Sequence, residues 1–440
     1  MKKFAKMSLV AAVAVAGMTS ANAASLTEAI KGVEISGMAR YRFDDNNATT
    51  TIGGVKQSVT AGDDQVNDYD VEVNAVVPVN DITTFNAKID IAADLTDVTG
   101  DAKANIQLED AYFTFKLPYA TIMAGKQDIP GPMVDDAEGT GIVALVPVGD
   151  MFTFAAGYFN NHDVRTGIPA AALATAINPA GGVAIANAQG NIQYTDPDWL
   201  DGKDAIEAAI LASLGPVNAE LWYADVEDAL DGYSLKLAGS LGPVNISFMH
   251  TALEVDSHIQ NATAGITAGA TAVPVFGTDN DAELTKLDLD ATFGMFTVKA
   301  GYAVTGDNND FGLNRVSIDN ATGDAASEWF FEQIEIGDDS DASAYYLGGE
   351  VAIDKYTFGL TYANSDSDER AVDTVTLPFN YMVKAADEEK EEILVEAAYQ
   401  MSSNFKISSY YSMYERELKT LGATAKQEND KFRIELKYSF

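Results

Sequence analysis

Hydrophobic and polar residues alternate along much of the chain, most regularly in residues 431–440. Apolar side chains occupy every second position there, at Phe432, Ile434, Leu436, Tyr438 and Phe440. Since successive side chains of a strand point to opposite faces, this segment is predicted to be a strand with one apolar and one polar face. Such a strand suits a soluble sheet, and it equally suits a membrane barrel with lipid outside and water inside.

Similar alternating segments begin at residues 33–43 and 68–79 and recur along the chain. Short links separate some of them, near residues 78–81, 118–119, 147–150, 215–216, 242–243, 294–295, 354–355 and 402–403. Longer polar stretches separate the others, at 44–67, 94–105, 127–140, 160–203, 227–231 (a short exception), 254–282, 306–343, 365–390 and 415–430. Outer-membrane barrels pair short periplasmic turns with long extracellular loops. Eight turns and nine loops therefore predict an all-β, transmembrane antiparallel barrel of about eighteen strands, with sixteen as the alternative.

Three stretches fit this pattern less well. Residues 204–214 and 385–401 are rich in Ala, Glu, Leu and Lys, which are good helix formers. The second stretch still alternates and is predicted to be a strand, whereas the first is left open between helix and strand. Residues 168–188 are rich in Ala and Gly without a period, and a loop with a helical turn is expected there.

The first residues have the features of an export signal. Lys2, Lys3 and Lys6 precede an apolar run over residues 7–18, and Ala21-Asn22-Ala23 has the small-residue pattern of a cleavage site. The apolar run is shorter than the roughly 18 residues that a spanning helix needs. We therefore expect residues 1–23 to be a cleaved signal peptide and residues 24–440 to form a single outer-membrane barrel domain.

Composition narrows the possible functions. The chain contains no cysteine, so disulfide bonds cannot stabilise it. A net charge of −38 argues against nucleic acid as a partner and favours cations. With 47% hydrophobic and 10% aromatic residues, the chain is too apolar to be disordered.

Candidate catalytic residues are few. His162 and His258 are predicted to lie in solvated loops, and His250 to face lipid or the barrel rim. No Gly-x-Ser-x-Gly motif and no histidine spacing typical of zinc sites occurs. The sequence therefore predicts a protein that is not an enzyme.

Acidic clusters occur in the long loops, at residues 63–64, 135–136, 307–310, 338–341 and 366–369. Oxygen-rich clusters suit calcium, but a solvated acidic loop is the simpler interpretation for most of them. Asp135, Asp136 and Glu138 differ, because their loop is one that could fold inward.

Several segments resemble a known family. Residues 26–31 and 37–43 are similar to the start of the major outer membrane porins of Campylobacter and its relatives. Residues 122–127, followed by Gly139-Thr140-Gly141, resemble the third-loop region of that family. Tyr438 and Phe440 resemble the aromatic ending that serves outer-membrane barrels as an assembly signal.

The resemblance implies an eighteen-stranded, trimeric, cation-selective porin in the outer membrane of a Gram-negative bacterium. It also implies that the third loop, residues 127–140, folds into the lumen and that calcium binds at the constriction. Only Asp135 and Asp136 carry over as candidate calcium ligands. The implied partners are outer-membrane lipid and lipopolysaccharide, the barrel-assembly machinery, and small hydrophilic solutes and cations.

Arg40, Arg42 and Lys126 lie opposite, or at the ends of, apolar rows and are predicted to line the wall of the channel. Facing acidic residues on the third loop, Asp135, Asp136 and Glu138, would set a transverse field across the narrowest point. The alternative is that the basic residues pair with inward-facing acids and stiffen the barrel. Two other functions stay open from the residues alone, a surface or secreted β-rich adhesin and an outer-membrane enzyme.

Overall fold

The computed structural model describes most of the chain from residue 32 onwards. The described ranges are 32–58, 64–93, 104–134, 137–162, 185–186, 192–193, 203–228, 230–255, 267–268, 271–272, 281–307, 316–317, 326–337, 339–371, 384–420 and 423–440. The predicted signal peptide, Asp135, Asp136, His258 and most of the Ala- and Gly-rich stretch 168–188 lie outside these residues.

Eighteen long strands follow one another along the chain. They are β1 Glu34–Ile52, β2 Asp64–Asn80, β3 Thr83–Ala93, β4 Ala104–Lys116, β5 Thr121–Asp128, β6 Glu138–Val148, β7 Phe152–His162, β8 Ala205–Leu214, β9 Val217–Val226, β10 Leu230–Leu241, β11 Val244–Val255, β12 Asp281–Phe293, β13 Phe296–Thr305, β14 Ser340–Ile353, β15 Tyr356–Ala371, β16 Lys384–Ser402, β17 Phe405–Thr420 and β18 Ala423–Ser439. A short strand, Val55–Ser58, folds back on the end of β1. Two further pairs of two-residue strands lie at 185–186 with 192–193 and at 267–268 with 271–272.

Each long strand is antiparallel to the next, and β18 returns to β1. The β1–β18 register runs from Met38 opposite Ser439 to Ile52 opposite Ala425. Beyond the ladder, Gly37 and Phe440 exchange two backbone hydrogen bonds of 3.0 Å each. The sheet is therefore a closed barrel, which confirms eighteen strands rather than sixteen.

The eight short turns fall where the sequence predicts them, between β2 and β3 and then between every second pair of strands. Gly215, Gly242 and Gly294 adopt φ values of 74°, 65° and 64°, which non-glycine residues rarely adopt. The stretches 204–214 and 385–401 are both strands, β8 and β16. Tertiary pairing overrides their helix propensity because every backbone group of a closed barrel must join the ladder.

Two predicted loops are shorter than expected, since β1 continues to Ile52 and β2 begins at Asp64 within 44–67, and β15 continues to Ala371 and β16 begins at Lys384 within 365–390. The loop predicted over 415–430 is wrong. Residues 415–430 are almost entirely strand, because β17 continues to Thr420 and β18 begins at Ala423. The strands keep their ladder beyond the apolar belt, where both faces are polar and hydrophobic alternation disappears. Lys426 lies 2.7 Å from Glu415 and 3.1 Å from Glu428 in this extension. Its hydrogen bonds raise the pKa of Lys426 and lower the pKa of Glu428.

The outer surface carries an apolar belt. On β15, Tyr356, Phe358 and Leu360 are 46–58% exposed on one face, while Thr361 on the other face is buried. Other strands show the same arrangement, with large apolar side chains exposed on the outer face and polar or small side chains on the inner face. No helix in the described part of the chain is long and apolar enough to cross a membrane. The apolar belt is therefore the surface that suits lipid, and the inner wall is the place to search for a functional site.

Candidate functional site

The inner wall beside the β1–β18 seam is lined by ion pairs. Arg40 lies 2.8 Å from Asp70 on β2, and Arg42 lies 3.0 Å from Glu435 on β18. Both arginines occupy the strand face opposite Tyr41, which is 42% exposed on the outer surface. Their placement on the inner wall agrees with the alternation, and each has an acidic partner, as the alternative interpretation expected.

Arg433 also lies on this wall, although it was not predicted as a site residue from the sequence. Arg433 donates two hydrogen bonds to Asp44, at 2.5 and 2.6 Å, and its guanidinium lies 5.4 Å from the centre of the Tyr410 ring. Lys431 lies 5.7 Å from the same ring. The signal was present in the alternation of β18, but Asp44 is 389 residues away in sequence and cannot be identified as the partner by spacing.

The loop between β5 and β6 packs against the inner wall. A hydrogen bond of 2.9 Å from Ile129 N to Ala137 O closes its base. Ile129, Met133, Val134 and Ala137 are buried in one cluster with inward-facing residues of β6 to β11, including Trp222. At Gly131, where φ is 122°, a Cβ atom would lie 3.3 Å from the Trp222 ring, so the loop approaches this wall closely.

The base of this loop holds two of the predicted site residues. Lys126 forms an ion pair with Glu138, and its ammonium group donates a 3.0 Å hydrogen bond to the carbonyl oxygen of Glu109. The pair joins the end of β5 to the start of β6 and fixes the entrance of the loop. Asp135 and Asp136 lie outside the described residues, between the buried Val134 and Ala137.

A second segment also folds inward, between β13 and β14. We call residues 326–339 the strap; residue 338 lies outside the described part. Trp329 and Glu335 form an isolated bridge, and Ile334 and Ile336 are fully buried against residues of β12 to β15. On the strands that follow β15 in the sheet, Gln333 accepts a 2.7 Å hydrogen bond from Asn429 of β18, and its backbone N donates one of 2.8 Å to Glu392 of β16. The strap thus lies against inner walls that are distant in sequence.

Charged side chains hold the ends of the strap. Asp339 and Lys390 form a buried ion pair, with side-chain exposures of 0% and 5%. Lys390 also donates a 2.7 Å hydrogen bond to the carbonyl oxygen of Glu335. Nearer the middle, Glu332 accepts hydrogen bonds from Tyr410 and, at 3.2 Å, from Lys431.

The strap corrects the interpretation of the acidic cluster 338–341 as a solvated loop. Asp339 is fully buried, whereas Asp341 is exposed. The sequence did contain a signal: Phe330, Phe331, Ile334 and Ile336 are too apolar for a solvated loop. Ser317, which lies before the strap in the same connection between β13 and β14, donates a 3.2 Å hydrogen bond to the carbonyl oxygen of Met133 in the loop between β5 and β6.

A polar cavity of about 520 Å³ opens in the inner wall between β14 and β18. Its charged lining residues are Glu350, Glu396, Lys406, Arg433 and Glu435. Tyr410 borders it on the side where its hydroxyl reaches Glu332 of the strap. Such a lining suits water and charged solutes rather than an apolar ligand.

The structure brings no catalytic or metal constellation together among the residues that it describes. His162 is buried rather than solvated, with Nε2 2.8 Å from the carbonyl oxygen of Lys203. His250 lies beside Thr285 and the exposed Tyr233 on the outer face, as its parity predicts. No group of three or more metal-ligating side chains occurs within the described ranges. The carboxylates of Asp135 and Asp136 can supply at most four oxygens, so calcium, which takes six to eight, would need other ligands.

Comparisons with known proteins agree with this geometry. The model of the family described as Campylobacter major outer membrane protein matches residues 1–438. No curated protein sequence matches the chain at a significant level. Three solved structures of similar fold are a BenF-like porin from Pseudomonas fluorescens (TM-score 0.62, 12% identity, 93% of this chain and 99% of that chain), OccAB3 from Acinetobacter baumannii (0.59, 10%, 93% and 99%) and OpdQ from Pseudomonas aeruginosa (0.58, 13%, 94% and 99%). At these identities the likeness shows a common fold.

Proposed function

Since the chain belongs to the Campylobacter major outer membrane protein family and is an outer-membrane porin, we propose that it forms a water-filled, cation-preferring channel for passive diffusion. Ions and small polar solutes would pass between the strap, the third loop and the charged inner wall. The observation that supports this most directly is the combination of an apolar outer belt with a lumen lined by ion pairs and narrowed by two inner loops.

Cation preference follows from the excess of carboxylates. The chain has 66 acidic and 28 basic residues. On the inner wall, Arg40, Arg42, Lys431 and Arg433 each have an acidic partner, so these cations are locally neutralised. Val134 and Ala137, on either side of Asp135 and Asp136 in sequence, are buried against the lumen wall. We propose that the two carboxylates act at the constriction, where solvent would screen charge less than at the rim. Two unit charges about 4 Å apart interact by roughly 1 kcal/mol in water and about 4 kcal/mol at an effective dielectric of 20.

Replacing Asp135 with Asn and Asp136 with Asn should therefore reduce the cation-to-anion permeability ratio about tenfold. The measurement is the reversal potential in a salt gradient across a planar bilayer. A matched control removes two charges at the rim, with Glu428→Gln and Asp430→Asn, where salt screens interactions beyond about 8 Å. Equal shifts of the reversal potential in the two variants would contradict a constriction at the third loop.

The remaining properties are proposed on the family resemblance. Residues 1–23 would be removed on export, the short turns would face the periplasm, and three subunits would associate in a membrane of lipid and lipopolysaccharide. Calcium would bind Asp135 and Asp136 together with further oxygen ligands. Equilibrium dialysis against calcium measures this directly; the double Asn variant should lose the bound ion, and unchanged binding would exclude this site.

A further inference from the structure

The cavity between β14 and β18 contains an uneven arrangement of charges. Four ion pairs surround it: Lys299 with Glu350, Arg42 with Glu435, Arg433 with Asp44, and Lys431 with Glu332. Two charged lining residues, Glu396 and Lys406, have no ion pair or side-chain hydrogen bond within the described part of the chain. One carboxylate and one ammonium group therefore remain available to a solute.

The two groups lie at opposite ends of the cavity. Glu396 on β16 is opposite Tyr410 in the ladder, near the strap, and Lys406 on β17 is opposite Gln400, near the short turn. Four residues thus separate their levels, about 13 Å along the strands. Both side chains are long, so their charged groups can close part of this distance.

The site of Glu396 is formed by the backbone of the neighbouring strand. An ideal Cβ atom at Gly359 on β15 would lie 3.0 Å from Glu396 Oε2, so the carboxylate rests over a position that has no side chain. Between the two charges the wall offers the hydroxyl groups of Thr357 and Ser408, and the side-chain carbonyl of Gln400 lies level with Lys406. These groups can hydrogen-bond to peptide groups, and the lining of this cavity contains no aliphatic side chain larger than that of alanine.

We propose that this cavity is a binding subsite for short zwitterionic peptides that cross the pore. The peptide ammonium group binds Glu396 on the strap side, and its carboxylate binds Lys406 on the short-turn side. An extended peptide of two or three residues spans about 7–11 Å, which matches the gap between the two charges. The inference rests on the proposed channel function and adds a solute class to it.

The experiment uses the full-length protein in planar bilayers, with triglycine as the probe. Triglycine should reduce the ion current in a saturable manner, whereas its uncharged analogue, N-acetyl-triglycine amide, should have a much weaker effect. Glu396→Gln and Lys406→Gln should each raise the half-maximal triglycine concentration about tenfold, because each removes one charged contact. Exchanging the two charges, Glu396→Lys with Lys406→Glu, should restore much of the effect, since the peptide can bind in the opposite direction.

Lys426→Gln and Glu428→Gln at the rim are matched controls that should leave the triglycine effect unchanged. Ion conductance of each variant reports that its barrel has formed, and either single variant suffices for the test if the other does not fold. A conducting channel in which triglycine and the neutral analogue act alike would overturn the subsite alone. Absence of any channel activity in the unmodified protein would overturn the proposed function, and the subsite with it.

Discussion

Phe440 joins the barrel at a single, closely fitted position. Its backbone exchanges two hydrogen bonds with Gly37, and a Cβ atom at Gly37 would lie 2.9 Å from the Phe440 ring. Tyr438 stacks on the same ring with centroids 6.1 Å apart. These contacts place the predicted assembly-signal residues, Tyr438 and Phe440, at the junction of β1 and β18.

Phe440→Asp should lower the yield of folded barrel several-fold while leaving the conductance of the remaining channels nearly unchanged. The measurement is the fraction that migrates as folded protein on a denaturing gel without boiling. Phe293→Asp is the control, because Phe293 is an aromatic residue beside another turn, 57% exposed, where a carboxylate costs only about 0–1 kcal/mol. A similar loss of yield in both variants would show that Phe440 has no special part in assembly.

At this scale, strand alternation predicted which face a residue occupies better than it predicted its partner. Arg40 and Arg42 were placed correctly on the polar face of β1, but Asp70 and Glu435 could not be named as their partners. Asp339 shows the same limit. It lies in an acidic run that suggests a solvated loop, but its carboxylate is buried in an ion pair with Lys390, 51 residues away in sequence. Partners of this kind depend on the closed barrel and leave no local pattern.

Among the elements, the strap depends most on a few side chains. Replacing Lys390 with Met leaves the Asp339 carboxylate buried without its cation, which typically costs about 3–5 kcal/mol. The strap should therefore detach from β16, and single-channel conductance should increase and become noisier. Combining Lys390→Met with Asp339→Leu should restore the lower and less noisy conductance of the unmodified channel, because the two apolar side chains can pack together.

Lys426→Met is the control for this prediction, because it removes a lysine from an exposed ion-pair group at the rim. Its channel should conduct as the unmodified protein does. Identical recordings from the Lys390→Met and unmodified channels would show that the ion pair does not hold the strap.

The strands and short turns were predictable because each follows a local rule, a period of two or a glycine with positive φ. The strap was not, because residues 326–339 have no period and their apolar side chains pack against strands on both sides of them in sequence. The extensions of β17 and β18 were missed for a related reason: the rim is wet on both faces, so the strand continues without hydrophobic alternation.

Folding of the barrel wall should not depend on the inner loops. Each strand pairs with two neighbours, and the belt residues contact one another on the outer surface, so the wall closes without the strap. Replacing residues 326–337 with a Gly-Ser segment of equal length should leave heat-modifiable migration intact. Conductance should rise several-fold, because the polypeptide that occupies the inner side of β12 to β18 is removed.

An unfolded or aggregated product from this replacement would show that the buried strap cluster is needed to form the wall. Circular dichroism of the refolded protein separates that outcome from a widened channel. An intact barrel with raised conductance would show that the ladder stabilises the wall and that the strap narrows the channel.

The pairing of β1 with β18 also affects the order in which the barrel can assemble. Seventeen of the strand pairings join neighbours along the chain, and each of these hairpins can form as soon as its two strands have been exported. The eighteenth pairing must wait, because β1 leaves the export machinery first and β18 follows the other sixteen strands. During that interval β1 keeps an edge of unpaired amide and carbonyl groups, which would attract any other free strand. The cell must therefore shelter this edge until β18 arrives, and a barrel whose last strand is delayed stays open to pairing with other chains.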